Sequence, residues 1–457
     1  MRVSLVHCSI LKGLLMSVKL LFATLGLLLV TMVTARVQAE TIYVDPSAPP
    51  LGTGTSWATA FKSLASAVAA ANASSPNTDI VLAAANYTPA ATLVVTDECR
   101  VISHVPGGAT IVSSSGASAF EIRGTNIHFY DVRFTGRDRK LYADGDQISF
   151  DGCSFSGSSS FTGSHHGAVY VENCRYLQFF DCVLDTNQSD ASGGAVYAKD
   201  CEEVVILGST FRNNKARLHG AGVALVACEQ IKIYDSRFQR NQANLNGGGL
   251  YVSQGSSTSD VYMEGTRFDG NAVAAHGGGI FLNSFGDCEM VNCVVMNNVI
   301  GGNGGGIHAR GMGLGLDVIN CTVANNFADN GGGIWLLNWA ISRSRLWNTI
   351  LWDNYAFSAA TALEAQCNAP PTGVCRCCIK NWGMLTSFIG IGVINTDPQL
   401  RVNGNLRISS PCIDTGRDYL CPVSHDIVGN SRVTGRQIDM GAYEWSIEGL
   451  LEGFTID

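Results

Sequence analysis

"GGGIHARGMGLGLDVINCTVANNFADNGGGI" (residues 304–334) begins and ends on the same tetrapeptide. Glycines ahead of an apolar run can cradle a phosphate. This motif, however, recurs along the chain as "HGAV" (166–169), "GGAV" (193–196), "GAGV" (220–223), "GGGL" (247–250), "GGGI" (277–280), "GGGI" (304–307) and "GGGI" (331–334). The motif ends are 27, 27, 27, 30, 27 and 27 residues apart. A second motif, apolar-x-x-Asn, keeps the same register and ends at Asn187, Asn214, Asn241, Asn271, Asn298, Asn326 and Asn354. A phosphate loop is a single-copy device. Seven copies in register are architecture, so no nucleotide site is expected.

Within a unit the apolar period is two. In "VALVACEQIKIYDSRFQRN" (223–241), Val223 and Leu225, then Ile231 and Ile233, then Ser236 and Phe238 alternate with their neighbours. That pattern reads as three short strands with one apolar face each. Units of ~27 residues that stack strand on strand form a parallel β-helix. A leucine-rich repeat has one strand per unit and fits less well. The glycines and the Asn187-to-Asn354 ladder suit corners that need positive φ, and stacked asparagine amides can bond along the stack.

Other ladders follow the same register. Cys153, Cys182, Cys293 and Cys321 alternate with Ser209, Ser236, Thr266 and Thr349 at an inward small-residue position, and Cys174, Cys201 and Cys228 form a second ladder at a turn. His165, His219 and His276 share an edge with Ser192, Asn246, Asn303 and Asn330. His165 and His219 are two coils apart, roughly 10 Å by strand spacing, so no metal site is expected. Asp131, Asp181 and Asp235 share a turn slot with Asn292, Asn320 and Asn348, a pattern of turn capping rather than catalysis. Just after each glycine motif comes Tyr170, Tyr197, Ala224, Tyr251, Phe281, His308 and Trp335, flanked two residues on by Glu172, Lys199 and Arg310 among others. This column should face outward, and an aromatic stripe beside polar groups suits an extended sugar; the plainer reading is ring stacking that stiffens a sheet.

Charged residues are 15% of the chain, 46% is hydrophobic, and the net charge is −8. No basic run supports nucleic-acid binding. Lys19 followed by the apolar run Leu20–Val33 and "VQA" ending at Ala39 reads as a signal peptide over 1–39, with Met16 an alternative start. No second apolar run follows, so no membrane span is expected after cleavage. The segment 40–95 reads as a cap and first coil, with Ser56 as N-cap of one helix carrying Trp57, Phe61, Leu64, Ala65 and Val68 on a face. The stack should fill 96–356. Beyond it, 357–457 holds Cys367, Cys375, Cys377, Cys378, Cys412 and Cys421, read as disulfide candidates in an exported chain.

These features resemble secreted proteins of the pectin-lyase-like superfamily. The paired motifs are similar to polymorphic outer-membrane protein repeats. "DPQL" (397–400) and the motif made by Ser410, Pro411, Ile413, Asp414, Gly416, Asp426, Gly429, Arg432, Asp439, Gly441, Ala442 and Glu444 closely resemble the choice-of-anchor Q domain. The resemblance implies an all-β, right-handed parallel β-helix in a bacterial surface or secreted protein, and carries no catalytic residue or cofactor. The sequence thus points to a secreted or cell-surface, non-enzymatic binding or scaffold protein with a polysaccharide or a surface protein as partner. The alternative is a polysaccharide lyase or glycoside hydrolase. Its discriminating feature would be Asp, Arg and Lys clustered across adjacent coils in a groove.

Overall fold

The computed structural model describes residues 39–446 apart from 75–76, 114–117, 160–166, 254–258, 284, 312–314, 338–342, 360, 369–372 and 383–389. The signal-peptide segment and His165 lie outside the described residues. From Glu40 onward the chain winds into a solenoid whose sheets are parallel throughout. One coil shows the plan: Val196–Lys199, Glu203–Leu207, Thr210–Arg212 and Lys215–Ala216 each pair with their counterparts one coil on. Among the described residues the four sheets hold 10, 14, 12 and 7 strands in that order. The expected three strands are therefore present. The fourth is a two-residue strand in the segment read as a turn.

Alternation places Val196, Ala198, Val204, Ile206 and Phe211 inside, all at most 1% exposed. Aromatic rungs reinforce this core, as where Phe211, Phe238 and Phe268 stack at 4.9 and 4.7 Å. The glycine corner has two steric requirements. Gly247 has φ +66°, and a Cβ on Gly248 would lie 2.4 Å from the Gly278 carbonyl oxygen. The first needs left-handed backbone and the second needs close stacking of coils.

The asparagine ladder is buried, as its hydrogen bonds require. Asn214 Nδ2 donates to Asn241 Oδ1 at 3.0 Å and to the Leu184 carbonyl at 2.9 Å, and the Asn214 backbone N–H donates to the same Oδ1 at 3.1 Å. The pattern repeats to Asn354, where Gln366 Oε1 takes the place of the next asparagine. The positive-φ residue is not the ladder asparagine, as the sequence suggested, but its predecessor: Thr186, Asn213, Arg240, Gly270, Asn297, Asn325 and Asp353. The ladder side chain itself is spent on bonding inward. The turn column that contains Asp131, Asp181, Asp235, Asn292, Asn320 and Asn348 does have positive φ.

The single N-terminal helix is divided in two. Ser56 caps only the short turn Trp57–Thr59, and an α-helix runs Leu64–Ala73. Phe61 between them pairs instead with the first strand, its N–H donating to Tyr43 O at 2.9 Å. A residue committed to a bridge cannot continue a helix. Leu64, Ala67, Val68 and Ala71 cover the open end of the solenoid, and Ala65 faces solvent.

Stacking continues past Ala356 through Gly373–Cys375, Cys378–Ile379 and Gly390–Ile391. The chain then turns back as a strap over the 12-stranded sheet. Ala442 and Tyr443 pack on Val294, Met296 and Ala324; Leu406, Cys412 and Met440 pack on Ile350 and Cys378. A buried polar knot fastens it. Arg432 Nη2 donates to Gly441 O at 2.7 Å, Asp426 Oδ2 accepts from the Glu444 N–H at 2.9 Å, and Glu444 Oε2 accepts from the Asp439 N–H at 3.0 Å. Burial raises the Glu444 carboxyl to about 8 and that of Asp439 to about 6.

Candidate functional site

The aromatic column is in register: Tyr142, Tyr170, Tyr197, Ala224, Tyr251, Phe281, His308 and Trp335 occupy successive rungs of the 10-stranded sheet. It is covered in part, with Tyr170, Tyr251 and Trp335 half-buried. Tyr197 is 9%, Phe281 3% and His308 3% exposed. His219, Tyr251, Phe281 and His308 stack in sequence at 4.5, 5.3 and 5.0 Å with interplanar angles of 20° or less. Each inner ring has its faces taken by its neighbours. His219 and His276, just ahead of the strands, close over the column, and their edge is a ladder of parallel bridges rather than left-handed turns.

The polar companions are also engaged. Glu172 accepts from Tyr142 OH at 2.7 Å and from Tyr170 OH at 2.8 Å. The bond to Glu172 raises the Tyr142 phenol to about 12. Lys199 pairs with Asp200 at 3.1 Å, and Arg310 Nε donates to Asn283 Oδ1 at 2.8 Å. Burial lowers His308 to about 3, so it is a neutral imidazole, and its Nδ1 lies 3.1 Å from Asn303 O. Among the described residues no three His, Cys, Asp or Glu side chains come together as a metal site.

The six C-terminal thiols do not form one nest. Cys377 is another rung of the inward small-residue ladder, its Sγ donating to Leu346 O at 3.2 Å as Cys182 Sγ does to Phe150 O at 3.4 Å. Cys367 joins the main core, and Cys421 packs beside Val291, Ile319 and Val423. Cys375 is half-buried opposite Trp347. Cys378 and Cys412 share one buried cluster, thiol beside thiol. The insertion at 357–372 hid the ladder register of Cys377.

A different face carries the cluster that the sequence reading had sought. On the 14-stranded sheet, Lys232, Tyr262, Glu289, Asp317 and Arg345 are partners on five consecutive rungs. They lie on the outward side because Ile231 and Ile233, Val261 and Met263, Cys288 and Met290 point inward. Beside them runs the column Tyr234, Glu264, Val291, Ile319 and Trp347. Lys232 Nζ meets Glu203 Oε1 at 2.6 Å, and Tyr262 OH donates to Glu264 Oε2 at 2.8 Å. Arg345 grips Asp317 with two nitrogens, Nε to Oδ1 at 2.8 Å and Nη2 to Oδ2. Its guanidinium lies 4.6 Å from the Trp347 ring centroid.

Glu289 is half-buried between these groups. Burial raises its pKa, the adjacent Asp317 raises it further, and Arg345 acts the other way. One carboxyl is thus pushed toward its neutral form, while its neighbour is held by a bidentate guanidinium. The strap turn Tyr419–Pro422 forms the opposite wall of a groove of roughly 210 Å³, floored by Glu289, Asp317, Ile319, Arg345 and Trp347. No repeat motif marks this column, since each rung carries a different residue type. The available signal was its constant offset, the first residue of "KIY", "YME", "EMV", "DVI" and "RLW".

Residues 140–323 match the family model described as "Right handed beta helix region". Among solved structures, the chain is similar to pectate lyase Pel9A, with a TM-score of 0.50 and 15% identity over 89% of this chain and 96% of that one. Alginate lyase AlyF-OU02 follows at TM-score 0.48 and 12% identity, covering 72% of this chain and 80% of that one. The A-module of mannuronan C-5 epimerase AlgE4 from Azotobacter vinelandii gives 0.35 and 13%, with 64% and 89% covered. At these identities the likeness is one of fold. None of the curated proteins compared with the chain matches it.

Proposed function

We propose that the protein is an exported polysaccharide-active β-helix protein whose site is the Glu289–Asp317–Arg345 groove. The carrying observation is the carboxyl pair on adjacent rungs, one biased toward neutral and one bound by Arg345. Glu289 then donates a proton to the leaving glycosidic oxygen as its bond to the sugar breaks, Asp317 meets the positive charge that develops on the sugar, and a water adds to that carbon and gives its proton to the Glu289 carboxylate. Rungs spaced about 4.8 Å apart suit the shorter of the two carboxyl separations used in glycoside hydrolysis. Trp347 and Tyr419 supply apolar surface for sugar rings.

Export is supported by the apolar segment after Lys19 and by the resemblance to surface repeat proteins and the choice-of-anchor Q motif. Among the described residues no helix is long and apolar enough to cross a membrane. Incubation with neutral and acidic polysaccharides tests the activity. New reducing ends without unsaturated sugars are expected. Unsaturated ends would reassign the groove to elimination chemistry. Tight binding with neither product would return the protein to the non-enzymatic binding class.

A further inference from the structure

A second concave site lies where the last full coils meet the strap, on the 12-stranded sheet. One wall is Asn325, Trp352 and Asp353; the other is the strap stretch Gln399–Val402 with Arg407. Together they enclose roughly 510 Å³, more than twice the volume of the Glu289 groove.

The strap presents this wall as a hairpin. Leu400 and Leu406 form an antiparallel bridge, Arg401 N–H donates to Asn405 O at 2.8 Å, and Arg407 N–H donates to Gln399 O at 3.2 Å. Leu400 and Leu406 pack into the clusters beneath. Because side chains alternate along a strand, Arg401 and Arg407 then share the opposite face, and Gln399 lines the same cavity from a positive-φ turn. Neither arginine enters an ion pair among the described residues. The coil wall adds a third cation. Lys380 Nζ pairs with Asp353 and sits 5.7 Å from the Trp352 ring centroid. Asp397 is occupied in a turn, accepting from the Gln399 N–H at 2.7 Å. Arg401, Arg407 and Lys380 thus outnumber the carboxylates of Asp353 and Asp397 in and beside the cavity, next to an indole and the amides of Asn325 and Gln399.

From this geometry we infer an accessory site for an anionic sugar residue within a polysaccharide. Guanidinium forks match a carboxylate or a sulfate ester in shape and charge. The indole supplies apolar contact for the pyranose ring, and the amides serve its hydroxyls. The site is separate from the Glu289 groove, and its binding does not depend on whether that groove cleaves.

Calorimetric titration of the full chain with an oligogalacturonate, a sulfated oligosaccharide and a neutral cello-oligosaccharide tests the inference at low and high salt. The anionic ligands should bind at least tenfold tighter than the neutral one, and salt should erase that margin. The stronger of the two identifies carboxylate or sulfate as the preferred group. The double variant Arg401→Ala/Arg407→Ala should lose the margin with unchanged circular dichroism and melting temperature. Glu289→Gln should keep it, which separates this site from the groove. Equal binding of all three ligands, or a double variant that binds anionic ligands as the wild type does, would overturn the inference.

Discussion

Two outward faces of one solenoid use their side chains in opposite ways. On the 10-stranded sheet, rings from successive coils stack on one another, and Glu172, Lys199 and Arg310 bond to immediate neighbours. On the 14-stranded sheet, unlike residues occupy successive rungs and leave a groove beside the strap. A column of like residues satisfies itself, because an in-register parallel sheet brings each side chain against its equivalent. A column of unlike residues creates charge differences that a ligand can use. In this fold repetition signals stability, and on the proposed reading a break in repetition marks the site.

The largest expected effect sharpens that contrast. Glu289→Gln should reduce glycan cleavage by about 10²–10⁴-fold, the usual contribution of a general acid, with no fall in melting temperature. On the other face, Phe281→Ala should leave turnover of the remaining folded protein unchanged. Its cost should be in stability, about 3–5 kcal/mol for a fully buried phenylalanine, read by denaturant unfolding. A cleavage loss for Phe281→Ala without destabilisation would reverse the roles of the two faces.

Smaller effects probe what holds each face. Asn241→Ala removes an amide that bonds to Asn271 and to Phe211 O and strands the Asn214 amide that it accepted from. A loss of about 1–3 kcal/mol is expected for buried groups left without partners. The strap should respond to pH. The folded Glu444 carboxyl, at about 8, and that of Asp439, at about 6, lie above their ordinary values of 4.5 and 3.8. Folded strap therefore holds more protons than unfolded chain. This stabilising contribution is complete below the ordinary values and is lost as pH rises through 6 and then 8. Protection of residues 426–445 from hydrogen exchange, corrected for the intrinsic pH dependence of exchange, should fall as pH rises from the ordinary carboxyl values of 3.8 and 4.5 to about 8, and Glu444→Gln should flatten the change.

Much of the fold was legible because stacking imposes identical demands on every coil. The glycines repeat since a Cβ there meets the next coil, and the asparagines repeat since each Oδ1 serves the coil before. What does not repeat was harder to read. The Phe61 bridge that split the N-terminal helix depends on Val44, a partner 17 residues away. The strap left a readable mark: where Thr210 and Arg237 are outward, the covered coils carry Val294 and Ile350. The groove combines five different residue types with a wall from residues 419–422, and neither pattern nor spacing along one coil joins them. The aromatic column was placed in the right register, but its cover came from histidines assigned only to the corners.

The location of a bound glycan tests the central claim most directly. A crystal of the Glu289→Gln protein soaked with an oligosaccharide of the cleaved polymer should show sugar between Trp347 and Tyr419, with a glycosidic oxygen facing residue 289. Sugar stacked along Tyr251, Phe281 and Trp335, with the groove unfilled, would contradict the account.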